Sequence, residues 1–206
     1  MKRLTALAAM LFSITAFASL EEDVGALQQE WAQIKYQRPA AEQEKAFAAL
    51  AKTADAVRAK YAGRAEPQIW YGIIAASYAG ARGGLGALSL AKDAKKALEQ
   101  ALEIDAKALD GSAYTSLGSL YYQVPGWPIG FGNDDKAREL LQKAVALNPD
   151  GIDSNYFLGD FLYRKGDYEG ARRALGKALK APARPGRALA DEGRRKEIES
   201  LLAAMR

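Results

Sequence analysis

The side chains that most often carry out catalysis are missing from this sequence. It has no cysteine and no histidine among its 206 residues, which excludes disulfides, thiolate nucleophiles, Ser-His-Asp relays and the usual zinc sites. A bound metal would have to be a hard cation held by oxygen ligands alone. We therefore expect neither a metal nor a cofactor.

Two adjacent acidic pairs, Asp134-Asp135 and Asp191-Glu192, are the remaining candidates for acid–base chemistry. Both stand where a helix is predicted to begin, and carboxylates there stabilise the partial positive charge of the helix N-terminus. The glycine-rich segment from Gly83 to Gly86 lacks the preceding strand that a dinucleotide site needs. The sequence predicts that the chain is not an enzyme, with a hydrolase of unknown type as the alternative.

The composition indicates a soluble globular chain. Apolar residues make up 49% and charged residues 26%, a balance too rich in core-forming side chains for a disordered chain. The length is that of one domain. The 29 basic and 25 acidic residues nearly cancel, so the composition does not favour a nucleic-acid partner.

Basic residues are concentrated towards the C-terminus. Residues 164–206 contain twelve Lys and Arg against six Asp and Glu, which predicts an electropositive end of the molecule. Solvated helix faces are the simplest interpretation of such a run. An acidic partner, or contact with the phospholipid headgroups of a membrane surface, is the functional alternative.

The first 18 residues are typical of a secretory signal peptide. Lys2 and Arg3 precede an uncharged run from Leu4 to Ala18, and Ala16-Phe17-Ala18 fits a small-x-small cleavage site. The run is shorter than the ~20 residues of a membrane-spanning helix, although an uncleaved anchor is the alternative. We expect a mature chain that begins at Ser19 and is periplasmic.

The strongest pattern in the sequence is a ladder of apolar residues that occurs three times. The ladders are Ala94, Leu98, Ala101 and Leu102; Ala137, Leu141, Ala144 and Val145; and Ala171, Leu175, Ala178 and Leu179. Each has the spacing of one apolar face of an amphipathic helix. The last two ladders are 34 residues apart, which is the period of the tetratricopeptide repeat.

Leu-Gly pairs precede two of these ladders, at Leu117-Gly118 and Leu158-Gly159. Glycine allows two helix backbones to approach, and we expect Gly159 to face Ala171 across the last hairpin. Asn148-Pro149 closes one unit, because proline cannot continue a helix. On these residues the chain resembles the tetratricopeptide repeat family over residues 64–182. The resemblance implies stacked antiparallel helix pairs that bind partners on their concave face.

The repeats and the flanking helical patterns divide the chain into segments. We predict a degenerate helical pair at 19–63, repeats at 64–110, 111–150 and 151–182, and a capping helix within 183–206. The last repeat of a solenoid needs such a helix to cover its open apolar edge. The predicted fold is an all-α tetratricopeptide-repeat solenoid with a C-terminal capping helix.

Two hairpins carry extra residues. Gly118 and Gly159 are 41 residues apart while the ladders that follow them are 34 apart, so seven extra residues lie within 124–133. Two prolines and three glycines predict that this segment is a loop. A similar expansion is expected around Gly83, and both inserts should emerge at the same edge of the stack.

The loop sequence Pro125-Gly126-Trp127-Pro128 adds a second resemblance. In its exported-repeat context it resembles the T-component proteins associated with TRAP-type solute transporters. That resemblance implies an accessory that associates with a periplasmic solute-binding protein and binds or passes a small organic solute, in a family whose members can oligomerise. A non-enzymatic scaffold for protein–protein interaction in the periplasm is the main prediction, and the transporter accessory is the alternative.

Outward-facing positions of the first helix of each repeat define the predicted groove. They are Asp153, Tyr156, Asp160, Tyr163 and Arg164 in the last repeat and Thr115, Ser119, Tyr122 and Gln123 in the preceding one. Tyr and Arg dominate binding hot spots. The predicted partner-binding residues are Tyr122, Trp127, Phe131, Tyr156, Asp160, Tyr163 and Arg164.

The inserted loop has two interpretations. Trp127 and Phe131 either plug the end of the stack or fold over the groove and form the wall of a pocket. In the second case, the fluorescence emission of Trp127 should change when a ligand enters.

Overall fold

The computed structural model describes residues 19–205, so the predicted signal peptide lies outside the described residues. Within that range the chain forms nine α-helices: α1 (Leu20–Gln37), α2 (Ala40–Lys60), α3 (Ala65–Arg82), α4 (Gly84–Asp105), α5 (Ala108–Gln123), α6 (Asp134–Leu147), α7 (Ile152–Arg164), α8 (Tyr168–Leu179) and α9 (Ala188–Ala203). No β-strand is formed between residues 19 and 205. The predicted all-α helical solenoid is confirmed.

The helices pack in chain order. The hairpins α3–α4, α5–α6 and α7–α8 stack on one another, and α1 and α2 pack on the free side of α3. The apolar core runs through the whole stack, with Phe47, Leu98 and Phe161 fully buried in successive parts of it. None of the helices in this part of the chain is long and apolar enough to cross a membrane.

One close contact recurs in the three hairpins. A Cβ atom built on the glycine would lie 2.6 Å from Leu98 Cγ at Gly72, 2.8 Å from Leu141 Cγ at Gly118 and 2.6 Å from Leu175 Cγ at Gly159. Each leucine is the second residue of a predicted ladder, and only glycine leaves room for it. Gly159 therefore faces Leu175 and the carbonyl oxygen of Ala171, not the Ala171 side chain that the pattern suggested.

The two inserts differ in structure. Residues 124–133 form a loop between α5 and α6, held by the Gly132 N–H donating to the Pro125 carbonyl at 2.9 Å. Around Gly83 no second loop is found, contrary to expectation. Only Gly83 separates α3 from α4, at a φ of 63° that favours glycine. The extra residues lengthen these helices to 18 and 22 residues.

The last helix, α9, makes two kinds of contact. Ile198 and the following Met205 join the apolar core against α8, which is the predicted capping role. In addition, α9 contacts α7 and α1. The ring of Tyr36 lies directly on the backbone of Gly193, where a Cβ atom would clash, and its hydroxyl donates to Glu197 Oε2 at 3.4 Å. The sequence pattern did not predict this contact between the last helix and the first.

Candidate binding groove

A cavity of about 590 Å³ lies on the concave face of the stack. Its walls come from α3, α5 and α7, with α1 and α2 on one side and α9 on the other. The predicted concave positions that line it are Thr115, Ser119, Gln123, Asp153, Tyr156, Asp160 and Arg164. A second cavity of about 520 Å³ lies against α9 and shares Tyr156, Asp160 and Glu197 with the first.

Asp160 is the centre of a polar cluster between α5 and α7. It is buried and accepts hydrogen bonds from the Tyr122 hydroxyl at 2.6 Å and from Arg164 Nε at 3.1 Å. Burial and the charge of Asp160 raise the pKa of Tyr122 well above its usual value, so the hydroxyl remains a donor. Tyr122 does not line the cavity itself, but it fixes the carboxylate that does.

A second polar network connects α7 to α9. Arg194 Nε donates to Asp153 Oδ1 at 2.8 Å and its Nη1 donates to Glu197 Oε2 at 2.5 Å. Asp153 also accepts from Arg184 Nη1 at 2.7 Å. Burial opposes the charge on Asp153, but Arg194 and Arg184 outweigh this effect and hold its pKa well below the usual range. Asp153 is therefore ionised at neutral pH.

Tyr156 lies between the cavity and this network. The guanidinium of Arg194 lies 4.2 Å from the centroid of its ring, and Phe157 packs edge-to-face against it with ring centroids 5.1 Å apart. Burial raises the pKa of Tyr156 to about 12, so the hydroxyl is neutral at physiological pH. Tyr156 offers the groove an aromatic surface and a polar tip in one fixed orientation.

Three of the predicted site residues lie away from the groove. Trp127 is 90% exposed and lines neither cavity. Phe131 packs edge-to-face on Tyr121, with ring centroids 5.5 Å apart, and anchors the loop to the core. Tyr163 contacts Tyr168 at the turn between α7 and α8. The loop is therefore held by Phe131 on the stack, and Trp127 does not fold over the groove.

The tryptophans of the groove are Trp31 and Trp70, whose ring centroids are 6.1 Å apart. The predicted emission change of Trp127 on ligand binding is corrected accordingly, since the indoles that a ligand would meet belong to α1 and α3. Trp31 Nε1 donates to Ser77 Oγ at 2.8 Å. Sequence reasoning treated α1 as a degenerate helix and so missed this wall.

The arginines of the opposite wall were also missed. Arg184, Arg187 and Arg194 line the groove, although the sequence indicated only a basic end of the molecule. A signal was available in the spacing. Arg194 and Ile198 lie four residues apart on the same face of α9, and Arg187 stands seven residues before Arg194, directly before the helix. Charged residues in line with the buried face of a helix indicate a buried polar network.

A comparison with known protein families supports the repeat pattern. A family model described as tetratricopeptide repeat matches residues 130–190, from the end of the loop into α9. That segment of the chain is therefore similar to the tetratricopeptide repeat family. Tetratricopeptide repeats form concave surfaces for protein–protein interaction, and this protein presents such a scaffold. Its likeness to transporter T-components and its export remain predictions.

Two further comparisons concern whole chains. None of the curated proteins matches this chain in sequence. A crystal structure of MamA is similar to it over 80% of this chain and 89% of the MamA chain, with 21% sequence identity and a TM-score of 0.46.

Proposed function

We propose that this protein is an exported, non-enzymatic scaffold that binds a partner protein in its concave groove in the periplasm. The observation that supports it is the shared cavity, where Tyr156, Asp160 and Arg164 of α7 lie beside Thr115 and Ser119 of α5. Tyrosine and arginine in a partly desolvated groove are typical of binding hot spots.

The groove is arranged before any partner arrives. Asp160 is held by Tyr122 and Arg164, and Tyr156 is held against Arg194. Ordering one flexible side chain on binding costs about 0.5–1.5 kcal/mol, and fixed side chains avoid that cost. The preorganised polar groups support a role of the groove in partner recognition rather than a purely structural role.

Replacing Tyr156 should weaken partner capture. Tyr156→Ala removes the aromatic surface of the groove, and we expect it to lower affinity by about 1–2 kcal/mol, roughly 5- to 30-fold. The measurement is quantitative affinity capture from periplasmic extract of the native host, with the tagged unmodified protein as reference. Helical circular dichroism of each variant must remain unchanged.

Tyr163→Ala is the matched control. It removes an identical side chain from the same helix, α7, but at a position that contacts Tyr168 outside the groove. We expect capture to be unaffected. If Tyr156→Ala captures the partner as well as the unmodified protein does, or if both variants lose it equally, the binding surface does not lie in the groove.

The proposed export also has a structural argument. Ser19 is the N-cap of α1, and its hydroxyl accepts from the Glu22 N–H at 3.2 Å while its own N–H donates to Glu22 Oε2 at 2.8 Å. Cleavage before Ser19 therefore leaves this capping box complete. We expect the intact mass of protein from the periplasmic fraction to correspond to a chain beginning at Ser19. A membrane-bound species that retains Lys2 and Arg3 would contradict export by cleavage.

One observation favours the transporter-accessory alternative. The groove volume of about 590 Å³ falls within the range of about 300–1,000 Å³ that is usual for small-molecule sites. Because α9 contacts both α7 and α1, one side of the concave face is closed. A small organic solute is therefore the second candidate ligand.

A further inference from the structure

We propose that the groove contains a carboxylate-binding subsite formed by the guanidinium of Arg187 and the indole N–H of Trp70. The inference rests on the proposed function in taking the groove as the binding surface, and it names the chemical group that the groove recognises. Both residues line the cavity, and the Arg187 guanidinium lies 4.9 Å from the centroid of the Trp70 ring.

Arg187 differs from the other arginines of the groove. Arg164, Arg184 and Arg194 each bind a carboxylate of this chain, at 3.1, 2.7 and 2.8 Å respectively. Arg187 makes no ion pair with any residue between 19 and 205, and its buried Nε has no hydrogen-bond acceptor there. Asp153 and Asp191 act on its charge only from a distance, and its Nε is a donor that the described residues leave without a partner.

The electrostatic environment of Arg187 is consistent with this. Burial and the neighbouring charge of Arg184 lower the pKa of Arg187. Burial also opposes the charge of Arg194, but there Asp153 together with Tyr36 and Glu197 outweighs burial and raises the pKa. A carboxylate placed against Arg187 would raise the pKa of Arg187, as Asp153 raises the pKa of Arg194.

Trp70 supplies the second unused donor. Its side chain is 4% exposed, and its Nε1 finds no acceptor among the residues that the structure describes. Trp31 beside it is satisfied by Ser77. A buried donor without a partner is destabilising, so a ligand that accepts from this N–H removes that penalty. The two oxygens of a carboxylate suit one guanidinium and one indole donor.

The rest of the cavity defines what carries the carboxylate. The charged lining residues are Lys35, Arg164, Arg184, Arg187 and Arg194 against Asp153, Asp160 and Glu197. This excess of positive charge attracts an anion. Beside Trp70, the wall is apolar at Trp31 and Ile73. The ligand is thus a carboxylate on an apolar body, either a free acid or a carboxylate of the partner protein.

Isothermal titration calorimetry with paired probes tests the charge requirement. The probes are phenylacetate and its neutral amide, phenylacetamide, together with the peptide Gly-Gly-Phe bearing either a free or an amidated C-terminus. At least one acid should bind about tenfold or more tightly than its amide. Whichever acid binds identifies the source, free or peptide-borne. The proposal is overturned if each acid binds no more tightly than its own amide, or if neither acid binds at about 10 mM.

Three variants locate the subsite. Arg187→Gln should weaken acid binding about tenfold or more because it removes the charge. Trp70→Phe keeps an aromatic ring but removes the N–H, and should weaken acid binding by about 3- to 10-fold. Arg173→Gln is the control, since Arg173 is exposed on α8 and pairs with Glu169. Thermal melts confirm that each variant folds.

The outcomes separate this proposal from the one it rests on. If Arg187→Gln binds the acid as tightly as the unmodified protein does, the carboxylate subsite is wrong. The protein-binding groove would still stand if Tyr156→Ala reduces partner capture. If Tyr156→Ala has no effect on capture while Arg187→Gln abolishes acid binding, the subsite stands and the groove serves a small ligand.

Discussion

Arg194→Ala is expected to lower the free energy of unfolding by about 3 kcal/mol, at the lower end of the range for breaking a buried ion pair. The Arg194 side chain is buried, binds Asp153 and Glu197, and lies against the ring of Tyr156. Asp153 retains Arg184 as a partner in the variant, which is why the upper end of the range is not expected. Urea denaturation monitored by circular dichroism gives the value.

The same substitution should loosen α9 before the rest of the fold. Arg194 connects α9 to α7 through Asp153, and Glu197 in turn contacts Lys35 and Tyr36 of α1. Faster amide hydrogen exchange is therefore expected in α9 and α1, while the α3–α4 hairpin stays protected.

Lys196→Ala is the matched control in the same helix. Lys196 is 71% exposed and pairs with Glu192 across one turn of α9, so we expect a change within about 0.5 kcal/mol. Similar denaturation midpoints for Arg194→Ala and Lys196→Ala would show that the buried network does not hold α9 against the stack.

The hairpins were predictable because their signals are local. The ladder that contains Leu175 and the Leu158-Gly159 pair before it lie within one hairpin, and helical periodicity alone places them on facing surfaces. The same regularity placed Tyr156, Asp160 and Arg164 on the concave face. Each successive first helix repeats the orientation of the one before it, so a position on one predicts the equivalent position on the next.

The closure of the groove was not predictable in this way. Tyr36 and Gly193 are distant in sequence, and no repeat or spacing connects them. The contact forms only in the assembled stack, where α1 and α9 pack together. Arg187 and Trp70 meet for the same reason. The prolines and glycines of the segment likewise predicted the loop that contains Trp127. They did not predict where the loop packs, because that depends on the contact of Phe131 with the stack.

Gly159→Leu should destabilise the protein by about 3 kcal/mol, because the site is already filled. A Cβ atom there would lie 2.6 Å from Leu175 Cγ and 3.4 Å from the Ala171 carbonyl oxygen. Even Gly159→Ala should cost about 1–3 kcal/mol, although alanine is the better helix former. Urea midpoints of the two variants measure the effect.

The control for this site lies in the facing helix. Gly176 of α8 has nothing within 4 Å of a built Cβ atom, so Gly176→Ala should stabilise the helix by up to about 1 kcal/mol. Gly130→Ala is unsuitable as a control, because its Cβ atom would meet the carbonyl oxygen of Pro125.

Coupling between Gly159 and Leu175 tests the contact itself. Leu175→Ala alone removes a fully buried side chain and should cost about 2–5 kcal/mol. It also vacates the space that a Cβ atom at Gly159 needs. The double variant Gly159→Ala/Leu175→Ala should therefore lose about 1–2 kcal/mol less than the two single losses added together. Strict additivity would mean that Gly159 and Leu175 do not touch, and the repeat register would have to shift along α8.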